Sequence, residues 1–147
     1  MLAAGAVLAA PPQGGLARAE RAQLLDALRP EAARRTGQPV RIRVDRLNVD
    51  GGWALLIGEL VTPAGGPLDW ARTAECHPEL DKMLWAVLAR EQGQWRLQHL
   101  EVCASEPPHW SLEQFGGMRW PCGVYAGLQG PEGQDLQQAC RRERGAR

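Results

Sequence analysis

The sequence predicts an α+β domain: an N-terminal helix packed on a four-stranded antiparallel sheet made of two consecutive hairpins. Three observations carry this. Leu24, Leu25, Leu28 and Ala32 form one helical stripe, closed by Gly37 and Pro39. Two strand-length apolar runs flank the turn Asp50-Gly51-Gly52. Two more flank Gln92-Gly93-Gln94. A single helix laid across such a sheet covers one apolar face economically.

The helical pattern starts near Arg18 and carries charges away from its stripe. Pro30 interrupts it, so a kink or a restart is expected there. In "VRIRVDRLNV", residues 40–49, Val40, Ile42 and Val44 alternate with Arg41 and Arg43, the two-residue period of a strand with one wet face. The apolar positions then move to Leu47 and Val49, a change of parity that a bulge across Asp45–Arg46 would produce. "WALLIGELV" follows the turn as a strand buried on much of both faces. Residues 62–80 form a long connection rich in Gly and Pro, of the kind that is often functional or mobile. "DKMLWAVLARE" fits helix or strand by itself. The turn and the alternating "WRLQHLEV" after it favour a second hairpin. Beyond Val102 the chain becomes irregular and holds Pro107, Pro108, Trp110, Phe115, Trp120 and Tyr125.

At 147 residues the chain suits one domain. Residues 1–19 read as an export signal or disordered leader, 20–127 as the domain, and 128–147, poor in apolar residues, as a disordered tail. Met1–Ala10 supplies an apolar stretch and Ala17-Arg18-Ala19 a small-x-small cleavage pattern, although no positive residue precedes them. No run reaches the roughly 18 apolar residues of a membrane helix. Four cysteines, an even number, also favour an oxidising compartment, periplasmic or extracellular.

Seventeen basic and seventeen acidic residues cancel, so no global field recruits nucleic acid or anionic membrane. Arg41 and Arg43 lack interleaved aromatic residues and read as a solvated strand face, not a single-strand platform.

The order helix-β-β-β-β looks like the cystatin-like and nuclear-transport-factor-like folds. More narrowly, "LLDALRP", "VRIRVDRLNVDGGWALLIGEL" and "LWAVLAREQGQWRL" resemble a group of small exported bacterial proteins of unknown function. The resemblance spans about residues 20–125 as a pattern of turns and apolar positions. It implies a fold and an envelope location and carries no active site.

A turn near residues 91–94 brings Cys103 across from about residue 82 and so beside the loop holding Cys76. A Cys76–Cys103 disulfide is the first expectation, worth about 3–4 kcal/mol by chain entropy. Cys103–Cys122 comes second, and Cys140 is left free or paired with Cys122. His77, His99 and His109 stand near Cys76 and Cys103 but lack zinc-finger spacing, since i and i+4 on a strand lie about 13 Å apart. A Cys–His nucleophile would need a cation or helix N-terminus that nothing local supplies. The acidic residues Asp69, Glu75, Glu79, Asp81, Glu101 and Glu106 read as solvated loops. The chain has no G-x-S-x-G, P-loop, G-x-G-x-x-G or H-E-x-x-H motif.

Six tryptophans against one Phe and one Tyr are the compositional anomaly. Trp53, Trp85 and Trp95 fall in strands and read as core. The loop residues Trp70, Trp110 and Trp120 are the candidate ligand contacts. The expectation is a non-catalytic exported binding or interaction domain of the bacterial envelope, taking a small ligand or an envelope protein. No metal, cofactor or nucleic acid is expected. The alternative is a small enzyme with a cleft between the 62–80 loop and the 103–125 segment.

Overall fold

The computed structural model of the chain describes residues 16–77, 79–105 and 118–145. Helix α1 spans Arg18–Thr36 and buries Leu24, Leu28, Ala32 and Thr36, one residue every fourth position along a single line. It continues through Pro30. The ring lies on the exposed side, as does Asp26, whose carbonyl loses the bond that a non-proline residue would make. Gly37 ends the helix in the left-handed region (φ 67°), donating its N–H to the Ala33 carbonyl at 2.9 Å.

Four strands follow: β1 (Arg41–Asp50), β2 (Trp53–Val61), β3 (Met83–Glu91) and β4 (Gln94–Ala104). They lie in the order β1-β2-β3-β4, all neighbours antiparallel, which is the predicted pair of hairpins. The expected bulge is there. Val44 faces Gly58 and Arg46 faces Ile57, leaving Asp45 as the extra residue. The slip keeps Ile42, Val44, Leu47 and Val49 all against the helix-side core.

β4 carries two further slips. Leu88 faces Leu97 and Val87 faces His99, so Gln98 is the extra residue of the first. It lets Trp95 and Leu97, then Leu100 and Val102, all pack toward α1. The second falls between Glu101 and Ala104. It turns Cys103 toward the helix side, where Cys76 is buried, and Ala104 toward the other face.

α1 is fastened at both ends. Glu20 near its start pairs with Arg90, whose guanidinium also lies 4.9 Å from the centre of the Trp95 ring. Arg35 near its end donates from Nη1 to the Leu100 carbonyl at 2.6 Å. Beneath the helix, Ala54, Leu56, Leu84, Ala86 and Leu88 are almost wholly buried.

The opposite sheet face is covered as well. Leu55, Trp85 and Val87 pack against Trp120, Val124, Tyr125 and Leu136. The cover consists of a 3-10 turn, Cys122–Tyr125, and a second helix, α2 (Leu136–Gly145). This corrects the expectation of a disordered tail after residue 127. The tail has few apolar residues, but Leu136, Ala139 and Cys140 fall at i, i+3 and i+4 and form one buried stripe. Asp135 opens the helix by accepting the Gln138 N–H at 3.1 Å. Among the described residues no helix is long and apolar enough to cross a membrane.

Gly58 marks the tightest backbone approach in the sheet. A Cβ there would lie 2.1 Å from the Arg43 carbonyl oxygen, which belongs to β1 beside the bulge. Gly58→Ala should therefore lower stability by about 2 kcal/mol or more in urea denaturation, through overpacking that no side-chain movement relieves. A loss below about 0.5 kcal/mol would show that the bulge opens freely.

Candidate functional site

The long 62–80 connection is built into the end of α1. Gln38 exchanges hydrogen bonds with Asp69, Nε2 donating to the carbonyl at 2.9 Å and Oε1 accepting from the backbone N–H at 3.1 Å. Thr73 donates from Oγ1 to the Thr36 carbonyl at 3.3 Å, and Arg72 from Nη2 to the Gly37 carbonyl at 2.7 Å. Carbonyls at a helix C-terminus need such outside donors. Leu68, Thr73 and Cys76 are buried. Cys76 and Cys103 form the expected disulfide, their Cα atoms 5.9 Å apart. The same bond joins the two segments that the enzyme alternative places around a cleft.

Cys122 pairs with Cys140, so Cys103–Cys122 does not form and Cys140 is not free. This second bond ties α2 to the 3-10 turn. Polar residues of β1 hold the same turn from the other side. Asn48 donates from Nδ2 to the carbonyls of Val124 (2.9 Å) and Ala126 (2.7 Å). Asp50 accepts the Gly123 N–H at 2.9 Å, and Arg46 donates to the Ala126 carbonyl at 3.2 Å. A Cβ at Gly123 would come within 2.7 Å of the Asp50 carboxylate, so glycine is what allows the contact. The outward face of β1, which alternation suggests is simply wet, is in its second half a rail for the C-terminal cap.

Of the three candidate tryptophans, the two described ones, Trp70 and Trp120, lie on opposite faces of the sheet. Trp70 is half-buried against the helix-side core, with the Lys82 ammonium 5.7 Å from its ring centre. Trp120 lies on the opposite face of the sheet. Trp110 lies outside the described residues.

Trp120 instead joins Trp53, which sequence patterning reads as core, and residues of β4. With Trp53, Gln98, His99 and Arg119 it lines a cavity of about 320 Å³ on the cap side of the sheet. The register places His99 in line with Val87 and Leu55 across three strands, and Trp53 lies two residues before Leu55 on β2. The imidazole rests on the buried Trp85 ring, centres 4.7 Å apart, and its Nε2 is hydrogen-bonded to Glu101 Oε1 at 3.0 Å. Trp120 stacks on Tyr125 at 6.0 Å and donates its backbone N–H to the tyrosine hydroxyl at 3.4 Å. Arg144 of α2 donates to the carbonyls of Met118 and Trp120. One wall of the cavity is therefore strand, and the other is held by the cap.

A larger groove, about 510 Å³, runs between α1 and β4 past Pro30, Glu31, Arg35 and His99. Its charges already have partners. Arg34, hydrogen-bonded to Glu31, draws that carboxyl down to about 2, against desolvation and with help from Arg35. Arg35 is also engaged with Leu100. The aromatic cavity is the better candidate site, because its lining combines ring surfaces with a few convergent polar groups. Of these lining residues, sequence reasoning names Trp120 as a candidate contact, reads Trp53 as core, weighs His99 only for metal or thiol chemistry, and does not single out Gln98 or Arg119. His99 faces the cavity only because the Gln98 bulge shifts the register; the change of parity from Trp95 and Leu97 to Leu100 and Val102 is the local signal of that slip. No protein-family model matches the chain, and neither the curated proteins nor the solved structures yield a match.

If the second disulfide holds the cap wall, replacing Cys122 and Cys140 together by Ala should lower stability by about 3 kcal/mol in urea denaturation. Near-ultraviolet circular dichroism should also lose the Trp120–Tyr125 signal while far-ultraviolet dichroism keeps the sheet. Loss of stability with an unchanged aromatic spectrum would mean that β1 alone positions the wall.

Tyr125 gives an independent reading of the same cap. Burial raises its phenol above the ordinary value, opposed by the Trp120 N–H and by Arg144 and assisted by Glu143. A raised value favours the neutral hydroxyl in the folded state. Its contribution is complete below the ordinary phenol value of about 10 and is lost as pH rises through the higher folded value. As the one tyrosine in the chain, it should ionise late in an ultraviolet difference titration, and the cap should loosen in the same pH range. Ionisation at the free-phenol value in the native protein would place the hydroxyl in water.

Proposed function

We propose that this protein is a non-catalytic binding domain that holds a small ligand in the cavity between Trp53, His99, Arg119 and Trp120, and that it works outside the cytoplasm, in the bacterial envelope. The observation that carries the binding reading is the convergence of two indoles, an imidazole and a guanidinium on one cavity of about 320 Å³. That volume lies at the lower end of the range of about 300–1,000 Å³ usual for small-molecule sites. Two features support the location. Both cysteine pairs are disulfide-bonded, a state that persists in oxidising compartments. The leader combines an apolar stretch with a small-x-small motif. The element order supports the likeness to small exported proteins of cystatin-like or nuclear-transport-factor-like fold.

The test uses phenylnaphthylamine, a neutral fluorophore that brightens in apolar sites. It should bind the full chain saturably and quench tryptophan emission. Trp53→Ala should weaken that binding by roughly ten-fold or more, as expected for loss of an aromatic wall. Trp70→Ala, on the other face, should leave it unchanged. Equal binding by wild type and Trp53→Ala, or none by the wild type, would overturn the cavity as the site.

A further inference from the structure

We infer that the cavity selects a flat, singly anionic ligand, an aryl carboxylate of one or two rings; this inference rests on the binding reading above and adds the chemistry of the ligand to it.

The charge around the cavity is one-sided. Among the described residues lining it, Arg119 is the one permanently charged side chain, and none is a carboxylate. Glu101 is joined to His99 Nε2 at 3.0 Å and is not among the described residues that line the cavity. A cationic guest would meet the guanidinium with no carboxylate among the described lining residues. Aromatic cages for quaternary ammonium groups depend on ring faces free of competing positive charge, and Arg119 removes that option.

The number of cations limits the charge of an anion in turn. A single guanidinium matches a carboxylate through two parallel N–H···O bonds, satisfying the ligand's full charge with one residue. A phosphate near neutral pH carries more charge and more acceptor oxygens than one arginine and one imidazole satisfy. The mono-anion is the better match.

Shape follows from the remaining lining. Trp53, His99 and Trp120 present ring surfaces, and offset stacking or edge contacts on such surfaces favour a planar guest. Trp120 is itself braced by Tyr125 and Arg144, and His99 by Trp85. Rings held in place lose little freedom when they are covered. A volume of about 320 Å³ suits one or two fused rings.

The experiment is calorimetric titration of the full-length oxidised protein with three probes of similar shape: indole-3-carboxylate, indole-3-carboxamide and phenyltrimethylammonium. The carboxylate should bind at least roughly ten-fold more tightly than the carboxamide, and Arg119→Gln should erase that difference, since charge-assisted bidentate pairs are about twice as strong as neutral ones. Arg119 is exposed, so the variant should fold, and near-ultraviolet dichroism checks this. Equal or tighter binding of the carboxamide or the ammonium ion overturns the ligand class. So does a carboxylate preference that survives Arg119→Gln. If phenylnaphthylamine binds and no probe prefers the anion, the cavity stands and the class falls. If phenylnaphthylamine does not bind either, both fall.

Discussion

β2 and β3 are apolar on both faces, and strands of that kind need cover on each side. Ala54, Leu56 and Leu60 of β2 look toward α1, and Leu55 looks the other way. On β3 the same division separates Leu84, Ala86 and Leu88 from Trp85 and Val87. Leaving either set in water would forfeit about 1.5–3 kcal/mol for each large side chain, enough over a few residues to exceed the margin by which small domains are stable. One helix covers one face. The second face requires the C-terminal turn and helix, and most of the molecule's less obvious features serve that requirement.

The two covers are secured by different means because their composition differs. α1 brings a line of Leu and Ala and is long enough to be held chiefly by apolar contact, with Glu20–Arg90 and Arg35–Leu100 fixing its ends. α2 brings only Leu136, Ala139 and Cys140. That stripe is too small to hold ten residues against the conformational entropy of ordering them. A disulfide shortens the unfolded chain's freedom at this point, and the hydrogen bonds from Arg46, Asn48 and Asp50 of β1 add directional contacts to the turn. The two bonds thus act in different settings. Cys76–Cys103 fastens a loop already pinned by Gln38 and Thr73, whereas Cys122–Cys140 stands in for apolar area that the cap lacks.

The strands, the turns and the β1 bulge were legible because each rests on a local rule. Alternation set the strands, Asp50–Gly52 and Gln92–Gln94 set the hairpins, and the shift from Val44 to Leu47 exposed the bulge. The first disulfide followed from hairpin register alone. What stayed hidden was non-local. Asn48 and Asp50 look the same in sequence whether they meet water or the carbonyls and amides of residues 123–126. The tail looked too polar to fold, since a stripe of Leu136, Ala139 and Cys140 does not by itself offset the entropy of ordering; the Cys122 partner that changes this balance lies outside the segment. His99 became a cavity residue through a one-residue slip at Gln98; its signal, the change of parity from Trp95 and Leu97 to Leu100 and Val102, is local but is lost when the strand is read as simply alternating.

The candidate site is the place where the two covers fail to match the sheet. The cap closes over Leu55, Trp85 and Val87, which are almost wholly buried, but Trp53 at the hairpin end of β2 is only half-covered. A ring of that size at a strand entry serves the core on one edge and leaves aromatic surface at the cap's margin on the other. Trp120 stands at that margin because Arg144 and Tyr125 hold it there, and Arg119 beside it is carried to the rim. The cavity is thus not an addition to the scaffold. It is what remains when a cap limited by its small apolar stripe covers a sheet longer than itself. The same shortage that makes the second disulfide necessary leaves Trp53, Trp120 and Arg119 lining one space of about 320 Å³.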